Sequence, residues 1–157
     1  MTFTSGDSAT PMASLFNQAV DEGKAYTDDA VGSAALVVIP WTTFSPTASA
    51  NFSTGACRYR MYGGIAEIRL TASYSGPTLT TTNSDGDIGD KSVFSGGGFP
   101  AGILPSDMQY VQAWKSLHGR IAALIQPSGS VLITDMTPGS SFASGNGVNI
   151  KAIYMVG

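Results

Sequence analysis

A chain of 157 residues with 43% apolar content is long enough to bury a real core. Only 12% of residues are charged, so Ser, Thr, Asn and Gly must cover most of the surface, as suits extracellular and virion proteins. The net charge is −3 and the eight Lys and Arg residues are spread singly, which argues against nucleic acid as a partner. No run approaches the roughly 20 apolar residues of a membrane helix, which argues against membrane insertion, and the first residues lack the basic and apolar regions of a signal peptide.

Residues 1–10 (MTFTSGDSAT) are polar and interrupted by Gly6, and read as a flexible N-terminal arm, either a frayed terminus or an attachment peg. Residues 11–33 carry a helical period. Thr10 caps the first turn, Pro11 fits the first helical position and Gly32 marks the end. Four-then-three spacing puts Met12, Phe16, Ala19, Gly23, Tyr26 and Ala30 on one seam of a rod about 33 Å long. Nucleation is costly and Gly is worth about 1 kcal/mol less than Ala, so this helix needs a partner surface. That surface is either its own β-domain or copies of itself around a symmetry axis.

From residue 36 onward the period becomes strand-like. The run 36–39 is apolar and stops at Pro40; residues 42–56 read as an irregular wrap over a sheet edge. A short strand over 58–62 leads through Gly63-Gly64, a hairpin signal, into 65–75. There Ile65, Glu67, Arg69, Thr71 and Ser73 alternate with Ala66, Ile68, Leu70, Ala72 and Tyr74, so one face is apolar. Residues 78–82 suit a strand, 83–91 a polar loop and 92–95 a brief pairing. The segment 99–105 is too rich in Pro and Gly for regular structure, yet apolar enough to pack. Strands over 110–116, 120–126, 131–135 and 148–156 complete eight or nine, joined by short and long connections, which favours a β-sandwich over a simple meander.

Chemistry has little to start from. His118 is the only histidine and sits in a turn beside Gly119; no Gly-x-Ser-x-Gly elbow is present, and the single Cys57 reads as a small core hydrophobe. Glu67 and Asp135 are the acids placed on strands, with nothing to pair them as a glycosidase needs. We therefore read the chain as a non-enzyme. In the stretch 83–90, Asn83, Asp85 and Asp87 stand at alternate positions like the start of a calcium loop, with Asp90 as a further acid, but Ile88 replaces the turn glycine and no closing Glu follows. No cofactor is expected, with calcium at these acids as the alternative. What remains is recognition: Tyr62, Tyr110 and Trp114 offer rings for sugar faces, with Asp85 and Asp87 as acceptors. Trp41 and Trp114 also flank apolar runs, where core or inter-subunit packing would account for them.

The succession Trp41, Tyr59-Arg60 before Gly63-Gly64, alternating 65–70, the segment 99–105, the hairpin at Pro127-Ser128-Gly129 and closing strand 148–154 resembles the C-terminal domain of many tail proteins of phages infecting Gram-positive hosts. In that family Leu and Arg stand where Phe99 and Leu104 stand here. The likeness spans roughly 36–157, and 25–31 looks like the short stalks before such heads. The resemblance implies a mainly β homotrimer: a trimeric coiled-coil stalk at 11–33 followed by a jelly-roll-like antiparallel β-sandwich head at 36–157. It implies a virion location, tail rather than capsid surface, other virion proteins as partners, and attachment to host cell-surface saccharide polymers. A structural capsid decoration or head-fibre protein is the rival reading.

Overall fold

The computed structural model describes residues 37–81, 84–115 and 119–156. The arm at 1–10, the stalk at 11–33 with its seam residues, and His118 lie outside the described residues.

The described chain is mainly β and pairs antiparallel throughout. Its eleven strands are β1 (Val38–Phe44), β2 (Phe52–Thr54), β3 (Cys57–Tyr62), β4 (Ile65–Tyr74), β5 (Leu79–Thr80), β6 (Asp87–Ser95), β7 (Gln109–Lys115), β8 (Gly119–Ile125), β9 (Ser130–Met136), β10 (Ser141–Phe142) and β11 (Gly147–Met155). The large sheet runs β1-β3-β4-β11-β7-β8-β9-β6, with β2 also on β4, while β5 and β10 form a separate ribbon.

Hydrophobic alternation sets the inner face. Ala66, Ile68, Leu70, Ala72 and Tyr74 of β4 meet Val148, Ile150, Ala152 and Tyr154 of β11, together with Ile121, Ala123 and Ile125 of β8. Cys57 joins this core as expected, and burial pushes its thiol pKa up. The segment 99–105 packs as its composition predicts: Ala101–Ile103 forms one 3-10 turn, Ile103 is fully buried, and the Tyr154 hydroxyl donates to its carbonyl at 2.6 Å.

The connection between β1 and β2 reaches the last strand of the order. After β1 the chain crosses to β6, where Ala48 bridges Phe94 and the Ser49 amide donates to the Val93 carbonyl at 2.9 Å. It then enters β2 on β4, so this connection links β6 to β4.

Three boundaries differ from the sequence reading. β1 runs through Pro40, because Ile39 pairs with Met61 and Thr42 with Tyr59, leaving Pro40 and Trp41 opposite Arg60 as a bulge. An edge bulge is where a residue without an N–H is tolerated. The polar stretch 83–91 is strand from Asp87 onward; Gly89 and Asp90 adopt positive φ in an irregularity opposite β9 that hides the strand pattern. The wrap at 42–56 contains the end of β1 and all of β2.

Candidate functional site

Hairpin geometry builds the site. Gly63 and Gly64 both adopt positive φ, 54° and 81°, as a two-residue turn of the primed type requires. That turn pairs Tyr62 with Ile65, and so Arg60 with Glu67 and Arg58 with Arg69, all on the outward face. β11 continues each row, placing Met155 beside Ile65, Ile153 beside Glu67, Lys151 beside Arg69 and Asn149 beside Thr71. β7 adds Trp114 opposite Asn149.

At the centre stands Glu67, only 6% exposed and the one buried charged side chain among the described residues. Arg60 Nε donates to its Oε2 at 2.8 Å and Arg69 Nη2 to its Oε1 at 3.1 Å, with Lys151 Nζ 3.5 Å from Oε1. Burial pushes the Glu67 pKa up, but hydrogen bonds from Arg60 and Arg69, with the charges of Arg60 and Lys151, outweigh it and hold the carboxyl below its ordinary value. This Glu is fully engaged, and on the sheet β11, β7 and β8 separate its strand from that of Asp135.

Trp41, re-aimed by the bulge, sits among three guanidiniums: Arg58, Arg60 and Arg69 lie 4.8, 4.9 and 4.8 Å from its ring centroid. Neither Trp41 nor Trp114 joins the core; both belong to this outward face, which sets aside the core-packing explanation for them.

Three clefts adjoin here. One, of about 530 Å³, is lined by Val38, Trp41, Tyr62, Ile65, Glu67 and Ile153. A second lies between Thr43, Arg58, Arg69 and Thr71, and a third between Arg69, Trp114, Asn149 and Lys151.

The structure brings the three sequence-derived rings to one face: Tyr62, Tyr110 and Trp114 are 64%, 77% and 45% exposed, and Tyr110 shares the outward alternation of Trp114 on β7. It does not bring the acids there. Asp85 precedes β6, Asp87 and Asp90 lie on it, β6 pairs with β9 and not with β3, β4, β11 or β7, and none of the three acids lines these clefts. Asp87 Oδ1 accepts from the Gly89 amide at 2.6 Å, and Ser84 Oγ donates to Asp85 Oδ1 at 3.4 Å. Among the described residues no three His, Cys, Asp or Glu side chains converge on a common point.

Sequence reasoning missed the cationic cluster. Most of it was derivable: a two-residue turn at Gly63-Gly64 forces Arg58 opposite Arg69 and Arg60 opposite Glu67. Lys151 and Trp41 required long-range register.

No protein-family model matches the chain, and no curated protein matches it.

Proposed function

We propose that this chain is a phage virion protein: a homotrimeric tail fibre or receptor-binding protein whose jelly-roll-like head attaches to saccharide polymers on the host surface. The observation that carries the reading is one outward sheet face that presents Tyr62, Tyr110 and Trp114, with Tyr62 on the cleft that Trp41 lines and Trp114 on the cleft that Asn149 borders. Rings of this kind lie against sugar faces while hydroxyl and amide groups bond sugar hydroxyls. The heptad spacing in the sequence of 11–33 supports the trimer, and the arm at 1–10 would meet other virion proteins. Three heads per trimer would turn weak single-site attachment into tight binding. Purified protein added to host cells should block phage adsorption, and its native mass should be that of three chains; unimpaired adsorption sinks the reading.

A second reading, a capsid decoration or head-fibre protein, is favoured by a different observation. Val38, Tyr62, Ile65 and Met155 form an exposed apolar row across β1, β3, β4 and β11, which suits a protein partner. Labelled antibody on whole particles separates the two, marking tail tips in the first case and the shell in the second.

A further inference from the structure

We propose that the outward face around Trp41 binds the anionic groups, phosphate or carboxylate, of a saccharide polymer; the polymer part of this inference rests on the attachment function above. Four of the chain's eight basic residues, Arg58, Arg60, Arg69 and Lys151, converge here with one carboxylate, in a chain whose net charge is −3. Everything outside the patch is therefore acidic in balance, and the cations are concentrated against the composition of the molecule.

The patch is unbalanced on its own terms. Glu67 is shared by Arg60, Arg69 and Lys151. Arg58 has no carboxylate partner among the described residues, yet it faces Arg69 directly across the ladder, where like charges repel. The contact of Arg58 with the Trp41 ring is offset by this repulsion, so a cation in that place adds little to the fold. An anion bridging Arg58 and Arg69 would remove the repulsion and complete the set.

The geometry suits such an anion. Guanidinium forks match phosphate and carboxylate oxygens two at a time. Stacking on Trp41 restrains the arginines before any ligand arrives, which lowers the ordering cost of binding. Arg58 and Arg69 border the cleft that also carries Thr43 and Thr71, and Arg69 and Lys151 border the next, with Asn149 and Trp114. A polymer crossing from Trp41 to Trp114 would meet charge, hydroxyl and amide groups, then a ring. The cations occupy only β3, β4 and β11, short of the long basic stripe that a nucleic acid needs.

The test is calorimetric titration of the full-length protein and its Arg58→Gln and Arg58→Lys variants with phosphomannan, polygalacturonate, dextran, inorganic phosphate and a single-stranded oligonucleotide. Arg58 is chosen because its removal leaves Glu67 paired, and circular dichroism confirms that each variant is folded. At least one anionic polysaccharide should bind more tightly than neutral dextran and weaken with salt. Arg58→Gln should cost roughly tenfold in that affinity, the loss of one charge-assisted hydrogen bond, with Arg58→Lys intermediate. Dextran bound as tightly as the anionic polymers, with no effect of Arg58→Gln, overturns the anion site and leaves saccharide attachment standing. Arg58-dependent binding of inorganic phosphate with no polysaccharide bound supports the anion site and removes the attachment reading. An oligonucleotide bound as tightly as the polysaccharides overturns the saccharide assignment, and no binding of any probe overturns both.

Discussion

Arg58 and Arg69 stand directly opposite one another across β3 and β4, and the guanidinium carbon of each lies 4.8 Å from the ring centroid of Trp41. Their repulsion and their attraction to the indole are of similar size, roughly 0.5–1 kcal/mol each at a half-exposed site. Arg58→Gln removes both, so its stability in urea should stay within about 0.5 kcal/mol of the parent. A much larger loss would mean that Arg58 supports the fold, and its place as a ligand-facing group would have to be given up.

Glu67→Gln should behave differently. It leaves three cations around a neutral amide, at a cost of about 1–2 kcal/mol, reduced from the fully buried case because those cations reach water. The pH dependence has a definite sign. The folded carboxyl titrates below its ordinary 4.5, so the stability it contributes is present above pH 4.5 and is lost as pH falls through the lowered value. Urea midpoints of the parent and Glu67→Gln should therefore converge on acidification below pH 4.5; parallel curves would contradict the ion-pair account.

Tyr154→Phe tests the anchoring of the 3-10 turn. The hydroxyl donates to the Ile103 carbonyl at 2.6 Å beneath the core, and burial raises its pKa. Losing the donor strands that acceptor, for a destabilisation of about 1–3 kcal/mol. Amide exchange should rise at 101–104 before it rises in β4.

Gly64→Ala and Gly98→Ala separate two costs of a side chain at positive φ. Gly64 has φ +81° and open space around it, so alanine there should cost about 1 kcal/mol of backbone strain. Gly98 has φ +80°, and an added methyl would collide with the Ser45 carbonyl on the segment that crosses to β6. Thermal unfolding should show Gly98→Ala clearly the worse of the two.

What the sequence disclosed follows from how local each signal is. The alternation of 65–74 and the glycine pair at 63–64 act over neighbouring residues, and both strand and turn appear where they point. Local signals failed where a bulge broke the period. Pro40 looked like a terminator because its tolerance depends on β1 being an edge strand, and Asp87–Lys91 looked like loop because Gly89 and Asp90 bend the backbone. The rings Tyr62, Tyr110 and Trp114 were found by residue type, which is enough for exposed aromatics on strands. The acids Asp85 and Asp87 were grouped with them by chemistry alone, and the strand order separates them. The cationic cluster joins β3 and β4 to Lys151, over 80 residues away in the chain, through pairing that no nearby residue encodes.

The bulge at Pro40 has a bearing on crowding. β1 has one side occupied by β3 and the other without a strand neighbour among the described residues, so it is the margin where a second molecule would add in cross-β fashion. An imino acid with no hydrogen to give, next to a kink that turns Trp41 outward, interrupts that rim after two residues. Many copies held close together would thus remain discrete bodies, and Pro40→Val should promote fibril growth from the native protein.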